Sequence, residues 1–502
     1  MTEIIGDRIE VENPATGEKV GSVERTTPEA VAAAVDRARA AQEGWSRRGF
    51  GQRAAVIKRF HDRVIASAAE IMDMLQAETG KARRDAFPEV SSVAGIARHY
   101  IAHGKEHLAS SRQRSALPGV TSARVEFKPR GVVGVISPWN FPFLLPIGDA
   151  LPALLAGNAV VLKPSELTPL SAELGRRLLI ESGLDPDLFQ LVHGEGPTTG
   201  QELVHHVDYI AFTGSLRGGR AVAAAAGERL IPYSLELGGK NPMLVLPGAA
   251  VGQAVEGLMM GAFYNAGQTC IAVERVYVHE SIYESFVRRA AERSHDLRVG
   301  FATDWSIDVG SLISRDHASK VLAHVEDAAL RGAEIVAGGG RREDLGPSFI
   351  QPTILTGVPE VAMMAREETF GPVVAVYPVR DTEEAVARAN DSAYGLNASV
   401  WAGSRRQAHA VSRRLATGSA GINSTLLIFN SFDVPMGGVR GSGIGRRFGQ
   451  EGIRRFTAPQ SVVRSIATGG GYDTLIGRLG NLRGSRFYLR LLRWWRHIPG
   501  LR

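Results

Sequence analysis

Apolar positions between residues 28 and 108 recur at helical spacing. Pro28–Arg47 is alanine-rich and opens after Thr27, whose hydroxyl suits an N-cap. Val56, Ile57, Phe60, Val64, Ile65, Ile71, Met74 and Leu75 keep one apolar stripe across 51–78, and a third helix is predicted over 87–108. The pattern then changes. Ala123–Phe127 alternates like a half-buried strand, whereas Val132–Ile136 is a short apolar run suited to a strand covered on both faces. From there, strands at 132–136, 159–162, 188–192, 208–212 and 231–236 alternate with helices at 146–156, 169–182, 197–204 and 218–227. Repeated βα units of this length predict a parallel, doubly wound sheet, an architecture used for dinucleotides. A second series follows, with helices at 251–266, 280–296, 316–331, 382–390 and 404–415 and strands at 273–278, 334–336, 372–378 and 397–401. It predicts another α/β domain, with Gly338–Gly340 as an internal turn. The chain has no tandem repeat and no low-complexity linker.

Composition narrows the class. With domains of about 150 residues each, a chain of 502 residues is expected to hold two to four, and an apolar fraction of 44% is ordinary for a globular protein. The single cysteine, Cys270, rules out an intrachain disulfide. The opening MTEIIGDRIEVENP lacks the basic and apolar regions of a secretory signal, and no run approaches ~18 apolar residues. A cytoplasmic location is expected. The formal charge of +6 belongs to the tail: residues 472–502 hold seven arginines against one acid, Asp473, and residues 1–471 sum to zero. A neutral body lends no support to nucleic-acid binding.

Five segments carry candidate chemistry. Cys270, in Asn265-Ala-Gly-Gln-Thr-Cys270, follows a predicted helix and a glycine at 267 that can bring backbone close to a ligand. It is a candidate nucleophile or an inert buried thiol. Glu236, in Leu235-Glu-Leu-Gly-Gly-Lys240, ends an apolar strand, where a carboxylate can act as general base or simply pair with Lys240. Asn140, in Ser137-Pro-Trp-Asn-Phe-Pro142, offers an amide for an oxyanion hole or satisfies its own backbone. Lys163 and Glu166, in Lys163-Pro-Ser-Glu166, can bond ribose hydroxyls or remain solvated charges. Gly214 and Ser215, in Phe212-Thr-Gly-Ser215, precede a helix and suit a pyrophosphate, although a glycine turn alone is weak evidence. Four of these segments lie where a predicted buried strand ends, and the fifth supplies a thiol. Together they provide nucleophile, base, oxyanion donor and dinucleotide cradle.

With Asn13-Pro-Ala-Thr-Gly17, Glu367-Glu-Thr-Phe-Gly-Pro372 and Pro435-Met-Gly-Gly-Val-Arg-Gly-Ser-Gly-Ile-Gly445 in the same order, the sequence resembles the aldehyde dehydrogenase superfamily from about residue 13 to about 460. Gly310-Ser-Leu-Ile-Ser314 and Asn397-Ala-Ser-Val-Trp-Ala-Gly-Ser404 are similar to a bacterial succinate-semialdehyde dehydrogenase branch. The resemblance implies a Rossmann-type cofactor domain over 1–108 and 131–238 and an α/β catalytic domain over 239–435. It also implies a small β oligomerisation element from 109–130 and 455–466, in a homodimer or homotetramer. Cys270 would attack the aldehyde to give a thiohemiacetal, with the oxyanion held by the Asn140 amide and the Cys270 backbone N–H. Oxidation by the nicotinamide would leave a thioester, which Glu236 hydrolyses by activating water. Trp139, Lys163, Ser165, Glu166, Gly214, Ser215, Leu237, Glu368 and Phe370 are the implied cofactor contacts, and no metal takes part. Coenzyme-A-acylating relatives generally lack the acid at Glu236, so hydrolysis is favoured over transfer to coenzyme A. Intact Cys270, Glu236 and Asn140 likewise weigh against a silent structural or membrane-associated relative.

Two departures bear on the substrate. The succinate-semialdehyde enzymes are expected to carry arginines where this chain has Tyr264 and Gly148. Phe143, Leu144, Leu145, Tyr264, Phe429 and Phe432 instead suggest an apolar entrance tunnel, though each also suits a core. An apolar aliphatic or aromatic aldehyde and succinate semialdehyde both stay open. Glu166 would repel the 2′-phosphate of NADP, favouring NAD, while Arg217 and Lys163 soften that repulsion.

Residues 486–498 form a basic amphipathic pattern: Arg486, Arg490, Arg493 and His497 on one stripe, Phe487, Leu491, Trp494 and Ile498 beside Tyr488, Leu492 and Trp495. Such a helix either lies on an anionic membrane, at its inner face, or packs on the body or a neighbouring subunit.

Overall fold

The computed structural model describes residues 4–115 and 121–465, and beyond them 471, 473, 477, 480 and 482–495. The chain divides into two units, Met1–His107 with Pro129–Phe456 and Leu108–Lys128 with Thr457–Arg502. The larger unit opens with an antiparallel sheet of β1 (Ile4–Ile5), β2 (Arg8–Glu12) and β3 (Lys19–Glu24) that the hydrophobic pattern did not predict. Helix α1 (Pro28–Arg47) starts as expected, the Thr27 hydroxyl accepting from Ala30 N at 3.3 Å. The apolar stripe of 51–78 proves to be two helices, α2 (Phe50–Ala66) and α3 (Ala68–Thr79), because Ser67 leaves helical geometry between them. Helix α4 (Arg83–His107) follows.

In the smaller unit, β4 (Ser111–Gln113) and β5 (Thr121–Pro129) pair antiparallel, and the strand Thr457–Ser465 takes the other side of β5. Its helix Leu482–Trp495 starts earlier than the sequence pattern suggested. Arg486, Arg490 and Arg493 are exposed, and so are Phe487, Leu489 and Trp494. Arg496, His497 and Ile498 lie outside the described residues. No helix among the described residues is long and apolar enough to cross a membrane.

The predicted βα series is present: β6 (Val132–Ile136), α5 (Leu144–Leu155), β7 (Ala159–Lys163), α6 (Pro169–Glu181), β8 (Phe189–Leu191), α7 (Gln201–Val204), β9 (Tyr209–Thr213), α8 (Leu216–Glu228) and β10 (Tyr233–Glu236). Strands β6, β7 and β9 are buried at every position, which is why they read as unbroken apolar runs. The parallel order is β10-β9-β6-β7-β8, so strand order reverses between β6 and β9. A doubly wound sheet places its ligand at that switch, outside the strand carboxyl ends. Gly443–Ile444, from far down the chain, completes the sheet antiparallel to β10, with Gly443 opposite Glu236.

A second sheet begins at β11 (Asn241–Val245). The sequence pattern did not predict this strand; its Pro242, which has no N–H to donate to a ladder, sits at a register irregularity between Asn241 and Pro242. Then come α9 (Val251–Phe263), β12 (Val273–His279), α10 (Glu280–His295), α11 (Arg315–Leu330), β13 (Glu334–Ala337), β14 (Thr353–Thr356), α12 (Met363–Arg366), β15 (Val373–Val379), α13 (Thr382–Asn390), β16 (Ser399–Trp401), α14 (Arg405–Ser412) and β17 (Gly421–Ile422). The order is β13-β14-β15-β12-β11-β16-β17, with β13 antiparallel and the others parallel. Fully buried Leu244, Val276, Val374 and Val400 form its core.

Candidate active site

The carboxyl ends of β6, β9 and β10 and the turn before β12 open onto one cavity of about 310 Å³. Its wall includes Trp139, Asn140, Gly214, Ser215, Glu236, Leu237, Cys270, Glu368 and Phe370, nine residues singled out in the sequence, to which Leu145 adds a tenth. Pro138, Thr213 and Gly238 complete it. Among the described residues, no lysine or arginine lines this wall.

The Asn140 loop is held from both sides. Its carbonyl oxygen accepts from Lys81 Nζ at 2.9 Å and from Asn265 Nδ2 at 3.1 Å. Lys81 also meets Glu89 at 2.6 Å, and both side chains are buried. Glu89 in turn accepts from the backbone N–H groups of Phe143 and Leu144, at 3.1 and 3.0 Å. The Asn140 amide donates to Gln268 O at 2.9 Å, which fixes its orientation and leaves one N–H over. Asn140 Oδ1 is buried without a hydrogen-bond partner.

Cys270 follows a strained turn. Asn265 and Ala266, with φ of 53° each, and Gly267, at 71°, are left-handed in succession. A Cβ at Gly267 would lie 2.0 Å from Gly371 O, so the glycine serves a close approach of two backbones rather than of a ligand. Gln268 anchors the turn, its Oε1 accepting from Ile313 N at 2.9 Å. Cys270 keeps a partly exposed surface on the cavity, yet protein surrounds it at longer range. Burial pushes its thiol up to about 12; Arg447 opposes this, while Glu368 and Glu236 add to it.

Glu236 stands at the end of β10 with Oε1 buried and unpartnered. Burial raises it to about 7, against the pull of Arg447 and Arg455. Its pairing with Lys240 is ruled out, because Lys240 Nζ lies 2.5 Å from Glu274 in a buried pair. Glu274 also accepts from Thr369 N and Phe370 N, at 3.0 and 2.9 Å, and so shapes the Glu368–Phe370 segment. Glu368 reaches Gly239 N at 2.8 Å, a path open only because a Cβ at Gly238 would meet its carboxylate at 2.1 Å. Burial, then Glu274, raises Glu368 to about 8. Trp139 is edge-on to Phe370 at 5.5 Å.

Residues that the sequence did not flag support this arrangement. Arg447 is buried and doubly bonded to Asp149, at 2.9 and 2.7 Å, and it also contacts the Thr213 hydroxyl. Arg455 approaches the same carboxylate at 2.5 Å. The available signal was a lone acid, Asp149, inside the apolar helix α5.

Other expected site residues stand elsewhere. Lys163 and Glu166 pair with each other at 3.1 Å, and Ser165 Oγ accepts from Leu167 N, shaping the turn after β7. Phe143 is fully buried and packs toward Gly175 of α6. Leu144 is also buried, and Leu145 reaches the cavity in their stead, a consequence of the rotational phase with which α5 begins. Tyr264 stacks on Phe141 at 6.2 Å, its hydroxyl donating to Asp85 O at 3.4 Å. Phe429 packs on the same Phe141 ring at 5.9 Å, and Phe432 lies edge-on to Phe448 at 5.5 Å. Gly148 faces Ile96.

Comparison with known proteins agrees with this architecture. The model of the aldehyde dehydrogenase family matches residues 2–462. A protein of Mycolicibacterium smegmatis named "Putative succinate-semialdehyde dehydrogenase (NADP+)" is 46% identical, over 91% of this chain and 88% of its own. A betaine aldehyde dehydrogenase of Cereibacter sphaeroides is 36% identical, over 91% of this chain and 94% of its own. The NAD+ complex of an aldehyde dehydrogenase from Bacillus cereus superposes with a TM-score of 0.88 at 33% identity, covering 92% of this chain and 94% of that one. By sequence and by fold, the chain belongs to the aldehyde dehydrogenase family, oxidoreductases that act on aldehydes.

Proposed function

We propose that this chain oxidises an aldehyde to a carboxylic acid, with Cys270 as nucleophile, Asn140 as oxyanion donor and Glu236 as the base that activates water. The reading rests on the convergence of these three side chains on one cavity. The same convergence favours an active enzyme over a silent relative.

Cys270 loses its thiol proton to water, and addition of Sγ to the carbonyl carbon forms a C–S bond and places negative charge on oxygen, within the province of the remaining Asn140 N–H. Loss of two electrons and the aldehyde hydrogen then leaves a thioester on the sulfur. A nicotinamide dinucleotide, when bound, supplies the two-electron acceptor. Glu236, raised to about 7, is suited to take a proton from water as it attacks the thioester carbon. The C–S bond breaks, the acid leaves and the thiol is restored. Overall, one aldehyde and one water yield one acid, two electrons and two protons.

The residues present fit such a dinucleotide. Helix α8 presents an exposed Ser215 at its N-terminus at the edge of the cavity, where backbone N–H groups favour a pyrophosphate. Lys163 and Glu166 would meet the ribose as an ion pair, a nearly neutral site that accepts NAD or NADP, with Glu166 tilting the choice to NAD. With Tyr264 and Gly148 where succinate-semialdehyde enzymes are expected to carry arginines, and with Leu145 on the cavity wall, we assign an apolar aliphatic or aromatic aldehyde in preference to succinate semialdehyde. The strand Thr457–Ser465, exposed along most of its length at a sheet edge, we assign to association into a dimer or tetramer, which light scattering reads. The exposed arginines and aromatics of Leu482–Trp495 fit an anionic membrane surface; equal sedimentation with acidic vesicles of the full chain and of one ending at Gly471 would remove that assignment.

Purified chain assayed over a panel of aldehydes, with each dinucleotide, tests the main reading by absorbance of the reduced cofactor. Turnover of apolar aldehydes, lost in Cys270→Ser, is the expected result. Cofactor reduction that survives this substitution would refute the assigned nucleophile, and faster turnover of succinate semialdehyde would refute the substrate class.

A further inference from the structure

Helix α4 carries His99, His103 and His107 one turn apart. Over eight residues an α-helix rises ~12 Å, yet the rings of His99 and His107 lie only 5.6 Å apart, centre to centre. Their side chains therefore bend toward each other. Asp433, in the loop after β17, meets them there, its carboxylate 3.9 Å from Nε2 of each ring. Both Nε2 atoms are buried and neither has a hydrogen-bond partner. Two orphaned imidazole nitrogens facing one carboxylate make a poor structural cluster, since buried polar atoms in folded proteins nearly always find partners.

We propose that His99, His107 and Asp433 form a binding site for a first-row divalent cation of the Zn²⁺ type. The three ligand atoms lie within 4.8 Å of one another, so a small closing motion brings them around one ion with bonds of about 2.0–2.2 Å. Two imidazoles and a single carboxylate select Zn²⁺, Co²⁺ or Ni²⁺ over Mg²⁺ and Ca²⁺, which demand oxygen. The fourth position falls to water or to His103, whose ring is 5.1 Å from that of His99. Arg454 fixes the last turn of α4 by donating to His107 O at 2.6 Å. A bound ion would fasten the loop of Asp433 to α4, and the same loop carries Phe432, whose ring already lies over Gly95 one turn earlier.

The test uses untagged, chelator-treated, full-length protein titrated with Co²⁺ by visible absorption and with Zn²⁺ by calorimetry. A Cys270→Ser background removes the thiol as a competing ligand. One ion per chain is expected in both backgrounds, with the spectrum of nitrogen and oxygen ligands. The double variant His99→Asn/His107→Asn should lose it, and Asp433→Asn should weaken it at least about tenfold. Equal uptake by the parent and the double variant would overturn the proposal. Because Asp433 is 80% exposed, its substitution leaves the fold unthreatened and decides the matter if the double variant fails to fold; unchanged affinity in Asp433→Asn refutes the site.

Discussion

Replacing Glu236 by glutamine separates what a buried carboxylate costs from what it does. Burial raises this group from 4.5 to about 7. Keeping it charged at pH 8 therefore costs on the order of 3 kcal/mol relative to a solvated carboxylate. Because its folded value lies above its unfolded one, the folded state retains a proton that the unfolded chain releases between pH 4.5 and 7. Stability consequently falls as pH rises through that window and levels off above it. Glu236→Gln removes this group's share of the fall but buries amide hydrogens that find no partner, at a cost of about 1–3 kcal/mol. The variant should thus be less stable than the parent at pH 5 and equal to it, or up to ~2 kcal/mol better, at pH 8. Turnover should behave oppositely, dropping by ~10²–10⁴ with loss of the proposed general base. Parent activity should rise about tenfold per pH unit below 7 and flatten above, and the variant should lack that inflection. Thermal midpoints at the two pH values, with stopped-flow traces of cofactor reduction, read both effects; one burst equivalent should persist in the variant while steady turnover collapses. A parent profile flat between pH 6 and 8, or a variant that turns over as fast as the parent, would refute the assigned role.

Three further outcomes follow from the same geometry. Asn140→Ala should lower kcat by ~10²–10³ with little change in KM, because the amide acts on the developing oxyanion; an effect confined to KM would contradict this. Burial pushes the Cys270 thiol up to about 12, so alkylation by iodoacetamide should accelerate about tenfold per pH unit from neutrality to pH 9 without a plateau, as mass spectrometry of the single cysteine can follow. Asp149→Asn strands two guanidinium groups and should destabilise by ~3–5 kcal/mol in chemical unfolding. Burial raises the Asp149 carboxyl, but Arg447 and Arg455 prevail and bring it to about 2, so its contribution is complete above the ordinary aspartate range and vanishes as pH falls through about 2; an unchanged acid-unfolding midpoint in the variant would contradict the sign.

The strands of the first sheet were legible because they are covered on both faces, so that Val132–Ile136 and Ala159–Lys163 had to be apolar throughout. The side chains proposed to react were legible for a related reason. A group that must project from the end of such a strand is flanked by glycine or proline, as Asn140 and Glu236 are, and the contrast marks it out. Neither argument reaches the residues that hold these groups in place. Lys81 reaches across 59 residues to Asn140, and Arg447 across 298 to Asp149, so their pairing depends on topology that local pattern does not encode. Helical phase was equally hidden. At ~100° per residue, a start at Leu144 turns Phe143 and Leu144 into the core and Leu145 to the cavity, an outcome hydrophobicity alone could not choose among three apolar neighbours. The central strand Asn241–Val245 was not predicted either, and its Pro242 sits beside a register irregularity in the ladder. The supporting charges still left a mark, for Asp149 and Glu274 each interrupt a segment otherwise fit for the core. An acid in such a place survives only with a partner, and in this protein the partners are the cations that tie the surroundings of Cys270 together.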